Sequence, residues 1–393
     1  MVDAAQNERM TRTGRGTPGG ELLRRYWQPL CPASELTPGR PKKRVRLLGE
    51  DLVVFRDTEG RIGCVEEFCK HRRASLYHGF VEDRGLRCCY HGWLYDREGR
   101  CLEQPFEPGE SAFRNSIRLR AYPVQALGGL LFAYMGPAPE RAPLLPRWDV
   151  LVREDGTREV RVHPLHHCNW LQIQENTADS THTYYLHGRM NEVLGVGHPF
   201  APYYLRPIER YEYSYCEWGI DKVIEYGGEF AEVEVRPPLI FPNILRIPTG
   251  PIETIHWRVP VDDENTRILI VAFTPSSDPA VRSAEGDPVP VVHYPEWRLG
   301  DGEYDLGTFP AQDAMVQESQ GRIYDRTEEN LGVSDRGVFL FRRMLLEQIA
   351  RVEQGEEPTV AVVRDPERNR IIAFPSMTSP VETMRRLAEV GKG

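Results

Sequence analysis

The feature that most constrains this chain is a set of four ligand-type residues: Cys69-Lys-His71 and, sixteen residues further on, Cys88-Cys-Tyr-His91. The pattern C-x-H-x16-C-x-x-H puts a Cys–His pair on each of two turns, and two such turns can converge on one metal centre. Two thiolates and two neutral imidazoles can hold a [2Fe–2S] unit, both cysteines on one iron and both histidines on the other. A zinc finger wants a cysteine pair and then a histidine pair, whereas each pair here is mixed. A plant-type ferredoxin wants C-x4-C-x2-C. Cys64 and Cys69 begin that pattern, but Arg72 stands where the third cysteine belongs. Gly92 permits a tight turn at His91, and Trp93 adds a bulky apolar shield. Cys64, Cys89 and Cys101 read as packing residues, with Cys89 turned away from the centre its neighbour serves.

Around this motif, from about 43 to 135, short β-type runs alternate with turns. They include Val45–Leu48, Leu52–Phe55, Leu86–Cys89 and Leu130–Tyr134, punctuated by Gly49-Glu50, Glu59-Gly60 and Glu98-Gly99. That spacing predicts a small antiparallel β domain. A short helix is expected before it, at Glu21–Trp27. The Pro-rich bridge from Gly136 to Pro146 marks the boundary, dividing residues 1–145 from 146–393.

The second part reads as α+β. A helix-like stretch covers 167–186 and Thr266–Thr274 is the clearest strand. Leu239–Ile247 is a weaker one that Pro242 splits or demotes to an edge. A last helix is expected with Ser334 as its cap. Val338, Phe341, Leu345, Ile349 and Val352 form its apolar stripe, and Gly355 and Pro358 stop it. With 393 residues and 40% hydrophobic content there is material for two or three cores. The net charge of -9 argues against nucleic acid and against an anionic membrane surface. Eight cysteines are too few for a disulfide scaffold, and no apolar stretch approaches a membrane span or a secretory leader. A reducing, cytoplasmic location is expected. Gly195-Val-Gly197 lacks the third glycine and the context of a dinucleotide fingerprint, so no nicotinamide or flavin site is expected.

A second constellation lies in NWLQIQENTADSTHTYYLH, residues 169–187, as Asp179-x-x-His182-x4-His187. Asp179 and His182 share a face if the segment is helical. His182 and His187 are five apart, about 140° round a regular helix, so they meet at one metal only if the backbone is irregular near Thr183–Leu186. Two histidines and a carboxylate make the facial triad of mononuclear Fe(II) oxygenases. Spacing leaves the carboxylate open among Asp301, Asp305, Asp313, Asp325 and Asp335. His163, His166 and His167 match no ligand position and read as structural or surface residues. Tyr184, Tyr185, Tyr203 and Tyr204 are read as core aromatics that could also line a pocket.

Together the two constellations resemble the α-subunits of Rieske non-haem iron aromatic-ring-hydroxylating oxygenases. The resemblance runs from Leu22-Leu-Arg-Arg-Tyr-Trp27 to the last helix and is strongest toward the phthalate 4,5-dioxygenase and O-demethylase group. It implies that Cys69, His71, Cys88 and His91 bind a Rieske [2Fe–2S] cluster and that His182 and His187 bind mononuclear Fe(II). Gln312-Asp313 followed by Gln320-Gly321 matches the group's QD…QG pattern, which implies Asp313 as third ligand with Asp325 the alternative. Asp179 is implied as the bridging carboxylate, and Asn176 as a residue near the iron. The implied fold is an antiparallel β Rieske domain followed by a helix-grip catalytic domain. A ring of three subunits (or two stacked rings), a separate NAD(P)H-dependent reductase, O₂ and a small aromatic substrate are implied too. An aromatic carboxylate is expected, with Arg206, Arg246 and Arg258 as possible partners. Dihydroxylation, monohydroxylation and O-demethylation share these ligands. The competing reading is an electron carrier whose second domain only binds a partner.

Overall fold

A computed structural model describes residues 2–108, 112–195, 201–228, 232–249 and 252–374. The first part holds ten short strands: β1 (Gln28–Pro32), β2 (Lys42–Leu47), β3 (Glu50–Arg56), β4 (Ile62–Glu66), β5 (Phe80–Glu82), β6 (Gly85–Arg87), β7 (Leu94–Tyr95), β8 (Cys101–Glu103), β9 (Val124–Leu127) and β10 (Leu130–Ala133). They form three antiparallel sheets, in the orders β1-β10-β9, β2-β3-β4 and β5-β6-β7-β8. The expected β domain is therefore present. The strand expected at Leu86–Cys89 ends at Arg87, because Cys88 begins the turn that carries the motif.

The second part is built on one eight-stranded sheet. Its strands are β11 (Gly156–Val162), β12 (Ile208–Cys216), β13 (Gly219–Tyr226), β14 (Glu232–Ile240), β15 (Ile244–Thr249), β16 (Ile252–Pro260), β17 (Thr266–Pro275) and β18 (Val291–His293). The order is β12-β13-β14-β15-β16-β17-β11-β18, antiparallel throughout except that β18 lies parallel to β11. Pro242 sits in the turn between β14 and β15, so the sequence expected to split at that proline does so. Burial alternates along β13, and its inward side chains face the helices that cover the sheet.

Three helices matter for the site. The first runs over Trp170–Ala178 and is followed by a π-helical segment, Thr183–Arg189. The second, Phe309–Ser319, starts at Thr308, whose hydroxyl accepts from the Ala311 backbone N–H. The last, Arg336–Glu353, buries Val338, Phe341, Leu345, Ile349 and Val352 as its 3.6-residue period requires. Its cap is Asp335 rather than Ser334, because a 3₁₀ turn over Val333–Asp335 precedes it. The early helix spans Pro18–Leu23, not Glu21–Trp27. Thr17 caps it, and Trp27 instead donates through Nε1 to the Pro143 carbonyl. The N-terminal arm packs on the second part: Arg9 pairs with Glu353, and Asn169 Nδ2 donates to the Thr11 carbonyl. Among the described residues no helix is long and apolar enough to cross a membrane.

Candidate functional site

The two cysteine-bearing turns are close copies of one another. In the first, Cys69 N–H donates to the Ala74 carbonyl and Arg73 N–H donates to the Cys69 carbonyl. In the second, Cys88 N–H donates to the Trp93 carbonyl and Gly92 N–H to the Cys88 carbonyl. Arg73 and Gly92, the fourth residue after each cysteine, both adopt positive φ, +60° and +74°. This repeat presents two sulfurs and two imidazoles to one place. Cys69 and Cys88 are buried, while the His71 and His91 rings lie nearer the surface, 4.4 Å apart between centroids. Trp93 stacks on His71 at 4.6 Å. The buried Nδ1 of His71 has no protein partner. The Tyr95 hydroxyl lies 3.3 Å from Cys69 Sγ. Soft thiolates inside and imidazoles outside are the donor set that a [2Fe–2S] unit of mixed ligation needs. Cys64 and Cys101 pack in cores. Cys89 is exposed, so it is not a packing residue.

The second centre is assembled from the end of the Trp170–Ala178 helix, the π-helical segment and the Phe309–Ser319 helix. Asp179 ends the first helix and folds the chain back on itself. One carboxylate oxygen accepts from Thr181 N–H at 2.6 Å and from its hydroxyl at 2.7 Å; the other accepts from His182 N–H at 3.2 Å. The irregular backbone expected near Thr183–Leu186 is the π-helical segment. An i→i+5 helix brings residues five apart onto neighbouring positions, so His182 and His187 converge where a regular helix would spread them. His187 Nε2 lies 3.3 Å and His182 Nε2 3.9 Å from Asp313 Oδ1. Each of these three side chains offers one ligand atom, and the three atoms lie within 4.8 Å of one another. Asp325 is exposed and accepts from the N–H and hydroxyl of Thr327 in a surface turn, so it takes no part.

The neighbours of the triad hold it in place. Asn176 Nδ2 reaches Asp313 Oδ1 at 3.4 Å. Gln312 is fully buried; its Nε2 donates to the Leu306 carbonyl at 3.0 Å, so its Oε1 must face His187 Nδ1, 3.0 Å away. An amide oxygen only accepts. His187 Nδ1 therefore carries a proton, and in the neutral ring Nε2 is the lone pair, aimed at the centre. Burial alone would raise the Asp313 carboxyl, but the two histidines hold it below the usual range. Burial likewise acts to raise Asp179, and its bonds to His182 and Thr181 outweigh it, taking the group down to about 2. His182 Nδ1 lies 3.3 Å from Asp179 Oδ2, close but out of line for a hydrogen bond.

A cavity of about 400 Å³ opens beside the triad. Its floor is the covered face of the eight-stranded sheet, and the size suits a ligand of one or two rings. Tyr203 and Tyr204 line it, whereas Tyr185 points to solvent. The three arginines behave differently. Arg206 is paired with Glu232 and Glu234, and Arg246 with Asp149 and Glu253. Arg258 is buried in the cavity wall with no carboxylate at ion-pair distance among the described residues, and burial lowers it to about 9. His163 and His166 are buried, as structural residues would be, and they also line the same cavity. Their place on the cavity had no sequence signal, because β11 and β17 bring them there from a segment with no ligand motif.

Comparison with known proteins agrees with this geometry. The family model described as "Rieske [2Fe-2S] domain" matches residues 26–123, and one described as "LigXa C-terminal domain like" matches 299–390. The 5,5'-dehydrodivanillate O-demethylase oxygenase subunit of Sphingobium sp. (strain NBRC 103272 / SYK-6) is 39% identical over 96% of this chain and 87% of its own length. The chain belongs to the Rieske non-haem iron oxygenases. Its other relatives include the phenoxybenzoate dioxygenase subunit alpha of Ectopseudomonas oleovorans, 37% identical over 91% of the chain and 88% of that protein. The phthalate 4,5-dioxygenase oxygenase subunit of Pseudomonas putida is 31% identical over 91% of this chain and 88% of its own. The fold is also that of Pseudomonas putida CBB5 NdmA with caffeine, at a TM-score of 0.64, 21% identity and coverage of 85% and 93%. This Rieske oxygenase thus has a [2Fe–2S] domain and a His-His-Asp triad consistent with a mononuclear iron site.

Proposed function

We propose that this oxygenase subunit uses O₂, and electrons from a separate NAD(P)H-dependent reductase, to hydroxylate or O-demethylate an aromatic carboxylate. The observation that carries the substrate class is Arg258, a buried cation in the cavity wall without a carboxylate partner among the described residues. A buried charge is costly unless an opposite charge meets it, and a substrate carboxylate supplies one. The relatives named for dehydrodivanillate, phenoxybenzoate and phthalate support the same class.

In this reading Cys69, Cys88, His71 and His91 hold the cluster, and His182, His187 and Asp313 hold the iron. Residues 1–145 and 146–393 are the two domains. When bound, these groups supply single electrons and activate O₂. The chain's own residues do the positioning. Gln312 sets the His187 tautomer, Asn176 restrains Asp313, and Asp179 fixes the backbone at His182. Ile173, Ile268 and Ile270 on the cavity wall keep water from the reacting ring.

The cluster end is open to another protein. His91 is only partly covered, the exposed Tyr90 ring packs 3.8 Å from it, and the Arg72 guanidinium lies over Tyr90. Such a surface suits both an electron donor and a neighbouring subunit, and the arrangement proposed is a homotrimer or two stacked trimers. The test is a screen of aromatic acids with a surrogate reductase, reading NADH-dependent O₂ uptake and product mass. Turnover of an aromatic acid that Arg258→Met weakens at least tenfold in KM is expected. Turnover of neutral aromatics alone would overturn the substrate class.

A further inference from the structure

The wall beside Arg258 carries more polar groups than a carboxylate can satisfy. Arg258 on β16 is paired with Ile268 on β17, and His163 N–H donates to the Ile268 carbonyl from the strand beyond. The three side chains therefore form one row across the cavity floor. Three residues along, His166 exchanges both backbone hydrogen bonds with Thr266. The two imidazoles lie 6.0 Å apart between centroids, and the edge of Trp297 packs against each. Both rings are more than nine-tenths buried, and none of their four nitrogens has a hydrogen-bond partner among the described residues. The side-chain oxygen of Gln317, on the same cavity, is also unpaired.

The protonation of these rings is fixed by burial, which holds both far below the usual histidine range, His166 at about 3. A neutral imidazole offers one N–H and one lone pair. This wall therefore offers donors and acceptors together. A carboxylate or a methoxy oxygen only accepts, and would leave the lone pairs buried and unpaired. A hydroxyl both donates and accepts.

We propose that His163 and His166 form a subsite for a ring hydroxyl, so that the substrate is a phenolic acid, its carboxylate at Arg258 and its hydroxyl at the two imidazoles. This rests on the aromatic-acid reading above and adds a second, independent recognition element to it. The two histidines are then specificity-determining residues that touch the substrate away from the iron ligands.

The experiment is calorimetry on the anaerobic, iron-loaded holoenzyme with benzoate, the three hydroxybenzoates and the three methoxybenzoates, and with phenol and anisole as neutral probes. Two neutral hydrogen bonds are worth about tenfold in affinity. At least one hydroxybenzoate is expected to bind about tenfold more tightly than benzoate and than its methoxy counterpart. His163→Leu and His166→Leu should reduce that preference below about threefold and leave benzoate itself unchanged. His163→Gln and His166→Gln, which keep a donor and an acceptor, should retain most of it. The proposal is overturned if no hydroxyl preference exists, if it survives both leucine variants, or if those variants weaken benzoate and hydroxybenzoate alike. If no benzoate binds, the aromatic-acid reading falls, and phenol against anisole decides the subsite. A phenol preference lost in the leucine variants sustains it, and equal or absent binding of the two overturns it.

Discussion

Gln312 is one residue before the carboxylate of the triad, yet its work is on a different ligand. Its amide is locked by the Leu306 carbonyl and so dictates which nitrogen of His187 faces Asp313 and His182. Gln312→Leu should weaken retention of mononuclear iron about ten- to a hundredfold, the scale for losing a partner that orients a ligand. Competition with a ferrous chelator measures it, with the cluster spectrum as internal control; unchanged retention would refute the role. A second residue-level prediction concerns Tyr95. Against a thiolate sulfur the phenol must donate, and a donated bond stabilises the more negative, reduced cluster. Tyr95→Phe should lower the potential by about 40 mV, the equivalent of one neutral hydrogen bond in a one-electron couple. Protein-film voltammetry reads it, and a rise would contradict the assignment. At this scale the proposed ligands were legible because cysteine and histidine at fixed short spacings are rare without a metal. The parts played by other residues were not: Arg258 was one of three candidate arginines, Gln312 only a letter of a motif, and His163 and His166 matched no ligand position. An orienting amide and a pair of unpartnered imidazoles are placed by contacts 100 or more residues away, such as those of His166 with Thr266 or Gln312 with His187.

The element that makes the iron site possible is the change from α to π winding after Asp179. The five-residue spacing of His182 and His187 announced that change, since no regular helix brings such a pair together. What the spacing could not announce is how the preceding helix is held. Glu175, next to Asn176, is buried between Arg326 at 2.7 Å and Arg342 at 2.6 Å, and Arg342 also pairs with Glu329. These partners come from the loop and the helix at the far end of the chain. Burial alone would raise the Glu175 carboxyl, but the two guanidiniums hold it below the ordinary carboxylate range. A carboxyl depressed by folding stabilises the fold above its unfolded pKa, and that stabilisation is lost as pH falls through the folded value. Glu175→Gln should therefore cost about 3 kcal/mol at neutral pH, and the gap to the parent should narrow as the solution is acidified toward pH 3. Thermal melting at several pH values checks this, and a gap that stays constant would exclude the ionised pair as its source.

On the scale of the whole molecule, the boundary near Gly136–Pro146 separates the strands of the two parts but not their cores. The N-terminal arm lies against the last helix, and residues from Met10 to Ile372 share one apolar cluster. A chain organised this way presents its cluster at one surface, and the proposed ring brings that surface to a neighbouring subunit's iron site. Mixed and reassembled, His71→Ala and His182→Ala subunits, each inactive alone, should recover activity. Hybrid rings without activity would mean that electrons stay within one chain. The central claim is simpler still: one chain carries two separate iron centres with separable ligands. The measurement that tests it most directly is iron per chain in anaerobically purified protein, with the visible spectrum taken alongside. Three irons and a cluster spectrum are expected in the parent protein. Two irons with the spectrum intact are expected in His182→Ala and in Asp313→Ala, three in Asp325→Ala, and one iron without the spectrum in His71→Ala. Zinc in place of iron, or loss of the cluster spectrum in the Asp313 variant, would contradict the claim.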